Sequence, residues 1–115
     1  MYAGIAIDGN ASEVLDDLPK MKIDVLTIFD IKTTGLELIR RKLAGKMCIK
    51  VVVDMQTTLA IGSPEEVARE ADELVETFHT PQGGFIAQVT RWHRPEFPSA
   101  NVLASVQAFN RFRRA

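Results

Sequence analysis

Cysteine is nearly absent from this chain: Cys48 is the only one in 115 residues. No internal disulfide can form, and a lone thiol inside an apolar run is expected to be inert. An excess of either charge is absent too. Fourteen Lys and Arg face fifteen Asp and Glu, for a net charge of −1. There is no global field to gather nucleic acid or to hold the chain to a membrane surface. The three arginines near the end, Arg111, Arg113 and Arg114, close a helical pattern, where cations complement the helix dipole. No apolar run approaches the roughly 20 residues of a membrane-spanning helix. The opening Met1-Tyr2-Ala3-Gly4-Ile5 has no basic stretch followed by an apolar one, so no signal peptide is expected and a cytoplasmic location is.

What is present is ordinary globular composition, 46% apolar and 25% charged, at a length that predicts a single domain over 1–115. Four apolar, β-rich runs are visible: Tyr2 to Ile7, Val25 to Phe29, Cys48 to Val53 and Phe85 to Val89. Each ends in polar residues (Asp8, Asp30, Asp54 and the Thr90-Arg91 pair) and is followed by a helical pattern. The third run is apolar nearly throughout, which predicts a strand covered on both faces.

The helix signals differ in strength. Asn10 to Glu13 and Thr34 to Glu37 both have capping-box spacing, a side-chain acceptor followed three residues later by Glu. The first predicts a short helix carrying Val14, Leu15 and Leu18, limited by Pro19. The second predicts a helix with Leu36, Ile39 and Leu43 on one face, stopped by Gly45. Ser63, Pro64, Glu65 and Glu66 make the clearest start, with an N-cap, a proline at the first helical position and acids in the first turn. That helix is expected to reach Phe78, with Val67, Ala71, Leu74 and Val75 on its apolar stripe. A last helix is predicted from Ser99, carrying Val102, Val106, Phe109 and Phe112.

The order βαβαβαβα implies a parallel sheet with right-handed crossovers. Four such units are half of an eight-fold barrel. If the helices lie on one side, as in a barrel, the other sheet face and both edge strands stay bare, and bare edges invite pairing. Two copies closing a barrel, a rewinding into an open two-sided sheet, or a place within a longer protein would each resolve this. Ligands of parallel α/β proteins sit at the carboxyl ends of the strands, so Asp8, Asp30 and Asp54 would rim any pocket. Gln56 and Thr57-Thr58 lie in the loop at the same end. Gly83-Gly84 precedes a strand, whereas phosphate-binding glycines lie between a strand and a helix, so no phosphate cradle is implied.

Three stretches carry a resemblance. Ile7-Asp8-Gly9-Asn10, at a strand end before a helix, resembles the H-S-D-G-N and H-x-C-G-N strand ends of the uroporphyrinogen decarboxylase superfamily. Gly45 through Asp54, with Gln56, Leu59 and Gly62-Ser63-Pro64-Glu65-Glu66-Val67, is similar to its long glycine-to-G-T-P-E-E-V stretch. Gly83-Gly84-Phe85-Ile86, Pro95, Pro98 and Asn101-Val102 are similar to its last strand and the loop and helix that follow. The resemblance runs in order and in register along essentially the whole chain, and Asp54 to Val67 is its most specific part.

It implies the carboxyl-terminal four units of a (β/α)8 TIM-type barrel. It also implies one of two activities: cofactor-free decarboxylation of the acetate side chains of a tetrapyrrole, or methyl transfer between corrinoid proteins and thiols or folates. On this reading Asp54, Asp8 and His93 are the candidate catalytic residues. Arg91, Gln56 and Asp30 are the candidate contacts for a small anionic substrate, Arg91 through a fork to carboxylate. Where the zinc-binding methyltransferases have His and Cys, this chain has Ala6 and Asp8. At the position of a further family His or Cys it has Arg91, with His93 two residues on. No metal site is therefore expected, and zinc or corrinoid would enter only in the methyltransferase branch. The partner implied is a second half: another copy of this chain, closing a barrel as a homodimer, or a separate amino-terminal half. Two other classes fit parts of the pattern. One is a phospho-receiver signalling domain with Asp54 as acceptor, though it would need a fifth strand and an acidic pair after the first. The other is a non-catalytic remnant whose sheet edges dimerise.

Overall fold

The computed structural model describes residues 1–89 and 96–113. Four strands, β1 (Gly4–Ile7), β2 (Val25–Ile28), β3 (Cys48–Val52) and β4 (Phe85–Gln88), form one sheet in the order β1-β2-β3-β4. Every neighbouring pair is parallel. The helices are α1 (Ile31–Thr34), α2 (Leu36–Leu43), α3 (Thr58–Ile61), α4 (Pro64–Phe78) and α5 (Ser99–Phe112). The protein is thus α/β with an all-parallel sheet, as the alternation requires. None of the described helices is long and apolar enough to cross a membrane.

Strand register explains where the core lies. Ile5, Leu26, Ile49 and Phe85 stand side by side, and Ile7, Ile28, Val51 and Ala87 form the next row. Leu26, Ile28, Ile49 and Val51 of these rows belong to the core, with Ile5, Ile7 and Phe85 packed against it, together with Leu15, Leu18, Ile39, Leu43, Val67, Ala71, Leu74 and Phe78 from the segments that cross between strands. Sequential parallel strands joined by crossovers of one hand put all those segments on one side.

The opposite face is different. Its rows are Gly4, Val25 and Cys48, then Ala6, Thr27, Lys50 and Ile86. Gly4 and Ala6 are exposed, Val25, Thr27, Cys48 and Lys50 are half-buried, and Ile86 is 44% exposed. Only Val52, at the carboxyl end of β3, is fully buried there. The expectation that the third strand is covered on both faces is corrected accordingly. Its unbroken apolarity came from the buried row plus Val52 and Val53, while Lys50 marks the uncovered side. Burial raises the Cys48 thiol above its ordinary value, against the pull of the Lys50 ammonium.

Local signals account for most boundaries. The Ser63 side chain accepts from the Glu66 N–H at 3.1 Å, and the Glu66 carboxylate accepts from the Ser63 N–H at 3.3 Å. That reciprocal box, with Pro64, starts α4, which ends at Phe78 as its stripe predicts. The other two boxes do not form. Asn10 Oδ1 accepts from Ser12 N–H, two residues on, at 2.8 Å, so the chain makes an Asx turn and then two short 3-10 turns, Ser12–Val14 and Pro19–Met21, in place of a helix. Thr34 ends α1, and Gly35 stands at the start of α2. The Thr34 hydroxyl instead accepts from the Ala11 N–H at 2.9 Å, 23 residues away in sequence.

Candidate functional site

The carboxyl ends of the strands are tied together loop by loop. After β1, the Gly9 N–H donates to Asp30 Oδ2 at 2.6 Å, the Ala11 N–H donates to Thr34, and Asn10 Nδ2 reaches the Thr33 carbonyl at 3.4 Å. Gly9 adopts φ +77°, a left-handed turn with open space where a β-carbon would stand, and this turn presents its N–H to Asp30. The loop after β1 is thus held by the loop after β2.

The loop after β2 is held in turn by the third unit. Glu70 of α4 is 6% exposed. Its carboxylate accepts from the Asp54 N–H at 2.5 Å and from the Thr58 hydroxyl at 2.9 Å, and forms an ion pair with Lys32. Lys32 Nζ also lies 3.3 Å from the Thr58 hydroxyl. Burial opposes the Lys32 ammonium, but the Glu70 carboxylate, with Asp54 and Glu73 behind it, outweighs that and holds the ammonium above its ordinary value. The third unit is itself clamped to the last helix. Asn101 of α5, 1% exposed, donates its side-chain amide to the carbonyls of Leu59 at 3.0 Å and Gly62 at 2.8 Å. A side chain at Gly62 would put its β-carbon 2.5 Å from the Thr58 carbonyl oxygen, so the turn that offers these carbonyls needs glycine.

Within this frame Asp8, Asp30 and Asp54 follow three adjacent strands at one end of the sheet. Asp54 Oδ1 accepts from the N–H groups of Gln56 at 2.9 Å and Thr57 at 3.1 Å. Asp30 spends Oδ2 on Gly9. Each therefore orders its own rim with one oxygen. The second oxygens, Asp54 Oδ2 and Asp30 Oδ1, take no hydrogen bond among the described residues. Asp8 and Gln56 are exposed. Arg91 and His93, and with them Trp92, lie outside the described residues. No group of three or more His, Cys, Asp or Glu side chains among the described residues is placed to hold a metal ion.

Four residues organise this end in roles the sequence did not announce: Lys32 and Glu70, which were unmarked, Thr34, which was expected to cap a helix, and Asn101, which stood only within the family resemblance. Two of them did leave a trace. Glu70 falls on the same helical stripe as Val67, Ala71 and Leu74, and Asn101 on that of Ser105 and Ala108. A polar residue on a buried stripe needs a partner.

A separate cleft of about 500 Å³ runs beside β4, away from the aspartates, between α4 and α5. Phe85, Ala87, Val106, Phe109 and Phe112 line it, with His79 and Arg113.

Comparison with protein-family models, with curated proteins and with solved structures finds no match to this chain.

Proposed function

We propose that this chain is one half of an eight-stranded barrel of the uroporphyrinogen decarboxylase type, binding a carboxylate-bearing tetrapyrrole at the carboxyl ends of its strands. The observation that carries the reading is the sheet itself: four parallel strands in sequential order, with the core on one side and, among the described residues, small, polar and half-buried side chains on most of the other and no further strand beyond β1 or β4. Half of a (β/α)8 ring has that form. The motif from Asp54 to Val67 supports the family, since it spans the loop, α3 and the capped start of α4 that build the rim.

In this reading Asp54, Asp30 and Asp8 offer carboxylate oxygens to ring N–H groups, and Arg91 forks onto a substrate carboxylate. His93 supplies the proton that takes the place of the departing CO2 when the bond to the acetate carboxyl breaks. The methyltransferase branch would use the same rim for a different substrate.

Strand order favours this reading over the phospho-receiver one. Doubly wound signalling sheets run 2-1-3-4-5, with the first strand inside, whereas here β1 is an edge. A non-catalytic, dimerising remnant is favoured by one observation: Asp30 and Asp54 are already engaged with backbone N–H groups.

Titration of uroporphyrin, followed by its fluorescence, decides between the two. Saturable quenching is expected, weakened in Asp54→Asn. Asparagine keeps an oxygen for the Gln56 and Thr57 N–H groups, so stability should change by less than about 1 kcal/mol. Absence of saturable binding would leave the remnant reading standing.

A further inference from the structure

We propose that the second half is another copy of this chain, and that the β4–α5 edge of each copy receives β1 and the segment 12–21 of the other. The proposal rests on the barrel reading above and adds to it the identity of the closing half.

The two edges are unlike each other and complementary. On the β4 side, the cleft beside Phe85 and Ala87 is apolar along α5 and carries Arg113 and His79. On the β1 side, the segment 12–21 exposes Val14 (40%) and Met21 (59%). It also exposes the carboxylates of Glu13 and Asp17. Its remaining acid, Asp16, already pairs with Lys42 of α2 at 2.8 Å, which holds that flank against the chain's own second unit. Glu13, Asp17 and Arg113 form no ion pair among the described residues. Arg111, in the last turn of α5 and two residues before Arg113, is committed to Asp72 of α4. One edge thus offers an apolar hollow with a cation unpaired among the described residues, and the other offers exposed apolar side chains with two unpaired acids, Glu13 and Asp17, against one cation, Lys20.

Barrel order fixes which surfaces meet. The strand after β4 in a ring of two copies is the partner's β1. The segment that follows the partner's β1 then lies against α5, as α5 lies against α4. A two-fold axis along the ring keeps all eight strands parallel. It also makes both junctions identical, so assembly stops at two copies.

Light scattering over a concentration series tests this. The expected mass is twice 12.8 kDa. Arg113→Glu and Asp17→Arg should each weaken the dimer by about tenfold, and the chain carrying both reversals should recover most of the loss. Val14→Asp, at an exposed position, should weaken it without unfolding the monomer. A monomer at every concentration overturns the proposal, as does a dimer indifferent to these changes. The ligand reading fails separately. A monomer that binds uroporphyrin overturns only the pairing. A dimer with the expected charge dependence and no uroporphyrin binding upholds the pairing and overturns the ligand.

Discussion

On the helix side of the sheet, neighbouring strands set isoleucine beside leucine beside isoleucine beside phenylalanine. One residue along, on the other side, alanine stands beside threonine, lysine and isoleucine. The same four strands thus carry a finished core on one face and an unfinished one on the other. The covered face is uniformly apolar because nothing there can be hydrated. The open face mixes small, polar and charged groups because water still reaches them. Strand alternation alone separates the two, since successive side chains point to opposite faces.

The sharpest way to break this contrast uses two adjacent residues. Ile49→Ala removes a buried side chain from the core and should cost about 2–5 kcal/mol in urea unfolding. Lys50→Met, one position on, should change stability by about 0.5 kcal/mol or less. If Lys50→Met proves as costly as Ile49→Ala at concentrations where the chain is monomeric, the second face is covered within a single chain.

The next largest effect belongs to the rim. Glu70→Ala strands the Asp54 N–H and the Thr58 hydroxyl and leaves Lys32 without its carboxylate. A loss of about 2–4 kcal/mol is expected by the same measurement. Asn101→Ala frees two carbonyls, one of them in a buried contact, and should cost about 1–3 kcal/mol.

The smallest effect is a pH dependence. Lys32 titrates above its ordinary value in the folded chain, so its contribution is complete below the unfolded pKa of about 10.4 and is lost as pH rises through the folded one. Cys48 is also raised, so the folded state holds that proton more tightly. Stability then declines as pH passes the unfolded thiol value of about 8.5. Both shifts place the loss on the alkaline limb. Denaturation followed against pH should show it, and Glu70→Gln, which removes the charge facing Lys32, should reduce it.

The alternation of strands and helices was legible because each element is written in its own period, two for the strands and 3.6 for α4 and α5. The start of α4 was legible because both members of its capping box are local. Thr34 has the same spacing to Glu37 and a different fate, since its hydroxyl accepts from the Ala11 N–H in the neighbouring loop. A spacing rule does not see a competitor 23 residues away. The candidate site divides in the same way. That Asp8, Asp30 and Asp54 gather at one end follows from strand order. That Asp30 holds Gly9 and that Glu70 holds Asp54 depends on which loops touch, and this is set by packing between units.

The clamp at Asn101 has a consequence for synthesis. The last helix is fastened to turns laid down about forty residues earlier, and it packs along α4. A nascent chain released from the ribosome through residue 89 alone would carry an α4 with one flank undressed. The third unit cannot be finished in translation order. It waits for α5, whose arrival covers the flank of α4 and supplies the amide that its turn carbonyls lack.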